Sequence, residues 1–227
     1  MRIRPSAPQD LDALYDICLR TGDNGRDATG LYADPRLLGE VYAAPYAAHD
    51  PSLVTVLVTD DDRVVGYVIG CRDTVAFEEW REREWWPPLR DRYPLPDPAD
   101  RSPDARLVRQ IHDRAPGPSR PWLAEPATHP AHLHIDLLPE AQGTGWGRRM
   151  IEHLQGRLVD LGVPGLHLGV GGENHGAIAF YTRLGFEPLS TPDDGGLTLG
   201  ITLLVPEEGR SDVPLTEDVP SGELRAG

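Results

Sequence analysis

The 227-residue chain contains no lysine; all 22 of its basic residues other than histidine are arginine. That absence excludes Schiff-base chemistry on a lysine and a phosphate loop of the Gly-Lys-Ser/Thr type. It assigns no function by itself, because arginine with abundant alanine, glycine and proline also fits a GC-rich coding bias. Cysteine is nearly absent too. Cys18 and Cys71 are too few for a disulfide framework. No apolar run approaches the length of a membrane span. Met1-Arg2-Ile3-Arg4-Pro5 lacks the apolar stretch of a signal peptide. The expectation is a cytoplasmic protein with no membrane partner. Positive charge is in deficit: the formal net charge is −14. This argues against nucleic acid, whose affinity rests on basic groups. A cationic partner is compatible, although acidic solubility explains the same balance.

What is present reads as one folded unit. Residues 1–5 predict a strand, and Ser6-Ala7-Pro8-Gln9 reads as a capping box that opens a helix to about Arg20. Thr21 to Gly30 is a loop. Asp34-Pro35 starts a second helix carrying Leu37, Leu38, Val41 and Tyr42. Leu53–Val58 and Val64–Ile69 around Asp60-Asp61-Asp62 make a hairpin. Residues 74–130 form a helical, Pro-rich insertion with helices near 75–84 and 103–113. It holds Trp80, Trp85, Trp86 and Trp122; the three clustered ones read as packing, with a substrate wall as the alternative. His132–Leu138 is a strand, Gly145–Leu161 a helix, Gly165–Val170 a strand and Asn174–Leu184 a helix closed by Gly185. Phe186–Leu189 and Leu197–Leu204 complete an α/β mixed sheet over residues 1–205. Residues 206–227 are acidic, lack aromatics and predict a disordered tail.

Gln142-Gly143-Thr144-Gly145-Trp146-Gly147 lies between a strand and a helix. A helix N-terminus offers unpaired N–H groups and a partial positive charge. Gly143, Gly145 and Gly147 let backbone approach an anion, and Arg148 and Arg149 add cationic donors. A diphosphate is the natural guest. The G-x-G-x-G spacing, past the middle of the chain, fits a dinucleotide fold poorly.

Together with Asn174-His175-Gly176-Ala177-Ile178-Ala179-Phe180-Tyr181 and Gly185-Phe186, this loop resembles the GNAT superfamily of acetyltransferases. The first element is similar to that family's Q/R-x-x-G-x-G/A loop, the second to its N-x-x-A-x-x-F-Y-x-x-x-G-F segment. The resemblance implies a single GNAT-like domain with acetyl-CoA as co-substrate. It implies that backbone at Leu137 and Leu138 holds the pantetheine arm. Gln142, Gly143, Thr144, Gly145, Trp146, Gly147 and Arg148 then hold the pyrophosphate, with Asn174 and Tyr181 near the sulfur. The segment from Thr21 to Tyr46 also resembles bacterial relatives of the acetyltransferase-like C-terminal domain of nucleocytoplasmic O-GlcNAcase, a group in which activity is in doubt.

Amine acetylation needs a base for the amine and a proton donor for the leaving thiolate. Tyr181 is the acid candidate. His132, His134 and Asp136 lie two apart on a strand and so share one face, read here as a cleft. Asp136 ranks first as base, then His134, then His132. The His-Leu-His pair is similar to that of arylalkylamine N-acetyltransferases. A metal reading of His129, His132, His134 and Asp136 is set aside, since the donors are spread along one strand. Asp23, Asn24 and Asp27 are candidates for binding an amine acceptor, either a small molecule or a peptide. A homodimer is allowed. The alternative reading is an acetyl-CoA-binding sensor without turnover.

Overall fold

The structure, a computed structural model, describes residues 1–114, 127–191 and 196–204. The strands are β1 (Arg2–Pro5), β2 (Val54–Val58), β3 (Val64–Cys71), β4 (Ala131–Leu137), β5 (Gly165–Gly171), β6 (Glu187–Ser190) and β7 (Gly196–Thr202). They form one sheet in the order β1-β2-β3-β4-β5-β7-β6. Neighbours are antiparallel except β4 and β5, which run parallel. The α-helices are α1 (Leu11–Thr21), α2 (Leu37–Tyr42), α3 (Ala44–His49), α4 (Thr74–Trp80), α5 (Trp86–Arg92), α6 (Pro103–His112), α7 (Trp146–Asp160) and α8 (His175–Arg183).

Strand alternation distributes the layers. Gly70 faces α7: a Cβ there would lie 3.1 Å from Leu154, so the glycine admits the leucine. Tyr67, Ile69 and Cys71 face the other way, together with their cross-strand partners Asp136, His134 and His132. Helices α1 to α3 cover that second face, with Tyr46 of α3 reaching His132. Both layers are apolar where they meet the sheet: Leu14, Ile17, Leu154 and Leu158 are all buried.

The expected strand order holds, but several local expectations change. Ser6 does not cap α1. Its N–H donates to Val54 O and prolongs the β1–β2 pairing. A 3-10 turn at Pro8–Asp10 precedes α1 instead, with the Asp10 carboxylate accepting from Ala7 N–H and gripping the Arg4 guanidinium at 2.6 and 2.9 Å. Helix α3 was not foreseen; Pro45 opens it in the first turn, where a missing N–H costs nothing. Pro87 and Pro88 do the same for α5. Between α4 and α5 the chain makes a π turn at Arg81–Trp85. It buries Trp86 completely, and the Arg81 guanidinium lies 4.5 Å from the Trp86 ring centre. Trp80 and Trp85 stack on each other. Trp122 and the acidic tail fall outside the described residues.

Leu154→Ala removes a fully buried side chain from the α7–sheet contact. It should lower unfolding free energy by about 2–5 kcal/mol, measured by urea denaturation. A loss below about 1 kcal/mol would contradict this packing.

Candidate active site

The parallel pair β4–β5 is short. It holds only Ala131↔Leu166 and His132↔His167, although β4 continues to Leu137 and β5 to Gly171. Beyond His132 the two strands part. Leu138 N–H donates to Val65 O at 2.9 Å on the β3 side. Antiparallel alternation therefore turns the amide groups of Ile135 and Leu137 away from β3, into the gap. Gln142 spans the mouth, its side-chain amide donating to Leu137 O at 2.7 Å. The gap opens a cleft of about 1050 Å³, lined by β4, β5, the glycine turn and α8.

The glycine turn ends at the N-terminus of α7. Gly143 and Gly145 have φ of 69° and 85°, a left-handed backbone that favours glycine. Gly145 is the N-cap and no side chain caps the helix, so its first amides stay available to an anion. Gly147 has a different use. A Cβ there would come within 3.2 Å of Phe180 and 3.4 Å of Leu137, so the missing side chain admits the packing of α8. Leu137, Gln142, Gly143, Gly145, Gly147, Arg148, Asn174 and Tyr181 all line the cleft. Three candidates do not. Leu138 is buried with its N–H committed to Val65 O. The Thr144 hydroxyl donates to Ala141 O within the turn. Trp146 lies under the Arg149 guanidinium. The Asn174 carbonyl caps α8 by accepting from Ala177 N–H, leaving its NH2 to donate.

The shared polar face of β4 divides into three environments. His132 is buried and both ring nitrogens are committed. Thr74 Oγ1 donates to Pro130 O, so at 2.7 Å it accepts from His132 Nδ1–H. Nε2 then accepts from the Tyr46 hydroxyl at 2.6 Å. His132 is thus a satisfied sheet residue, a correction to its candidacy as a base. Neither ring nitrogen of His134 has a partner among the described residues. Burial and the charge of Arg81 push its pKa down to about 4, so the ring is a neutral acceptor at pH 7. The Asp136 carboxylate accepts from the hydroxyl of Tyr67, its cross-strand partner. Burial raises its pKa, while hydrogen bonds from Tyr67 and Thr21 oppose the rise. Tyr181, nearly buried on α8, lines the same cleft. Burial and the nearby Asp136 raise its pKa, so its hydroxyl stays protonated. The roles of Tyr67, Tyr46 and Thr74 were not visible in sequence, because their partners lie 58 to 86 residues away.

Asp23-Asn24-Gly25-Arg26 closes as a two-residue hairpin with φ of 52° at Asn24 and 85° at Gly25. Asp23 pairs with Arg26 at 3.0 Å and Asp27 caps Thr29 N–H. Neither residue lines the cleft or the second cavity described next; Asn24 lines both. It sits at the junction between the cleft and a second cavity of about 610 Å³. His134 lines both. Among the described residues no group of three or more His, Cys, Asp or Glu is arranged to hold a metal ion, and no helix is long and apolar enough to cross a membrane.

Comparison with known proteins gives concordant matches. The model of the acetyltransferase (GNAT) family matches residues 23–186. The solved structure of SsHAT superposes with a TM-score of 0.81 at 39% identity, covering 89% of this chain and 98% of that one. A GNAT superfamily phosphinothricin acetyltransferase from Sinorhizobium meliloti, in complex with AcCoA, superposes at 0.55 with 18% identity, covering 93% and 96%; that likeness shows the fold. Protein O-GlcNAcase of Rattus norvegicus is 24% identical over 186 residues, 81% of this chain and 20% of that protein. The protein of Mus musculus is 23% identical over 184 residues, with the same coverage. The chain spans about a fifth of the length of these curated relatives.

The buried neutral histidines make stability depend on acid. Burial lowers the folded-state pKa of His132, His134 and His167. The unfolded chain therefore binds more protons below the ordinary histidine value of about 6.5. Stability is full above that value and falls as pH drops, by up to about 1.4 kcal/mol per histidine per pH unit. Urea denaturation at pH 7.5 and about 5.5 should show the loss. Equal stability at both values would mean that these rings titrate normally.

Proposed function

The chain belongs to the GNAT acetyltransferase family, and from that premise we propose that it moves an acetyl group from acetyl-CoA to an amine acceptor by direct attack in a ternary complex. One observation carries the reading: β4 and β5 part after two residue pairs, and the gap ends at the uncapped N-terminus of α7. The gap suits an extended arm with amide groups, which adds to the free edge of β4 at Ile135 and Leu137 as a strand would. The helix N-terminus with Gly143 and Gly145 suits the pyrophosphate. The same fold holds AcCoA in the Sinorhizobium meliloti structure, which supports this choice of co-substrate.

The chemistry follows from the groups at the junction. The acceptor nitrogen, entering from the second cavity, attacks the thioester carbonyl. Its proton passes to the free nitrogen of His134 or, through water, to Asp136. The tetrahedral intermediate collapses, the C–S bond breaks, and Tyr181 donates its proton to the departing thiolate. Most of the rate comes from holding both reactants together. Tyr67 acts as a positioning residue, since it fixes the Asp136 carboxylate.

Two substitutions test this. Gly145→Asp adds a carboxylate where a Cβ meets open space. It should weaken acetyl-CoA binding by about 10- to 100-fold in calorimetry while the Tm moves by a few degrees at most. Normal affinity would remove the loop from the site. Tyr181→Phe should lower kcat by about a hundredfold with acetyl-CoA affinity nearly unchanged. An unaltered kcat would take Tyr181 out of the proton path.

A further inference from the structure

The second cavity, about 610 Å³ on the far side of His134, has the size of a small-molecule site. Its walls carry hydrogen-bonding groups with capacity to spare. His167 Nδ1 lies 2.7 Å from His129 O. A carbonyl only accepts, so Nδ1 carries the proton, and Nε2 of the neutral ring is an acceptor. That Nε2, Thr198 Oγ1 and Arg81 Nε are buried without a hydrogen-bond partner among the described residues. All three side chains line this one cavity. Buried polar atoms are rarely left in this state, and several of them on residues around one cavity point to a ligand. The Tyr42 hydroxyl donates to Gln110 Oε1 at 2.9 Å, which leaves the Gln110 NH2 to donate as well.

The sheet provides the room. The β5–β7 register pairs His167 with Gly200 and Gly169 with Thr198, so His167 and Thr198 are diagonal neighbours on one face. A Cβ on Gly169 would meet nothing within 4 Å. The walls carry little net charge. Arg81 pairs with Glu78, and the other lining carboxylate, Glu173, is exposed. The net charge of −14 is therefore not concentrated in the cavity. A polycation entering it would lose water and gain at most the one exposed carboxylate of Glu173 at the rim.

We propose, building on the acetyl-transfer reading above, that this cavity selects a compact amine bearing hydroxyl or similar neutral hydrogen-bonding groups, gripped by His167, Thr198 and Gln110, in preference to a polyamine or a lysine-containing peptide. The amine points at His134, and the hydroxyls donate to His167 Nε2 and exchange hydrogen bonds with Thr198.

Thiol release with acetyl-CoA is measured on glucosamine, 2-amino-1,3-propanediol and serine, against spermidine and a lysine-containing peptide. At least one hydroxylated amine should exceed spermidine and the peptide in kcat/KM by tenfold or more. Thr198→Val is isosteric and removes an oxygen with no hydrogen-bond partner among the described residues, so the Tm should hold. It should raise the KM of the preferred amine about five- to tenfold, the scale of one neutral hydrogen bond, with the Kd of acetyl-CoA within twofold. Turnover confined to spermidine or the peptide, or a KM that Thr198→Val leaves unmoved, overturns the selectivity while acetyl transfer stands. Bound acetyl-CoA with no turnover on any amine overturns both.

Discussion

The parting of β4 from β5 after His132 is the feature on which the rest depends. A parallel pair normally spends its edge groups on its neighbour. Here Ile135 and Leu137 turn theirs into a gap, and that loss of sheet pairing is tolerable only if another partner takes them. Gln142 takes one, the carbonyl of Leu137. The same divergence gives α7 a free N-terminus at the mouth and lets α8 bring Tyr181 across from the β5 side. Without it the glycine turn would be a connection and nothing more.

Burial then decides what each polar residue of β4 can do. The strand alternates faithfully, and His132, His134 and Asp136 do share a face. Depth along the gap separates them. At the closed end His132 is surrounded by Tyr46, Thr74 and Cys71, with both nitrogens used. Where the strands have parted, His134 keeps its nitrogens and its neutrality, helped by the buried positive charge of Arg81. At the open end Asp136 is held by Tyr67. One period-2 pattern yields a structural histidine, a neutral base candidate and an anchored carboxyl.

Sequence made the local parts of this legible and the long-range parts not. Gln142 to Gly147 and Asn174 to Phe186 are contiguous segments whose geometry follows from their own residues. The strand order from β1 to β7 follows from hydrophobic period and turns; the GNAT family followed from those two segments, and the likeness to the O-GlcNAcase region from Thr21 to Tyr46. The shortness of the β4–β5 ladder depends on pairing between segments more than thirty residues apart, and no local pattern encodes it. The need for glycine at 147 is set partly by Phe180 on another helix, a contact that no local pattern shows. Asp23 and Asp27 also have partners within their own loop, Arg26 and the Thr29 N–H, which the sequence did not show. The capping role shifted from Ser6 to Asp10 because Arg4 on β1 draws that carboxylate in. The π turn at Arg81, which brings a guanidinium close to His134, has no sequence signature at all.

The central claim is that the free edge of β4 and the uncapped end of α7 form one cofactor groove. Backbone amide NMR during titration with acetyl-CoA tests it directly. The account predicts the largest shifts at Ile135 and Leu137 and from Gly143 to Gly147, saturating together with one stoichiometric equivalent. Saturable shifts centred elsewhere on the protein, or no shifts at millimolar acetyl-CoA, would contradict it.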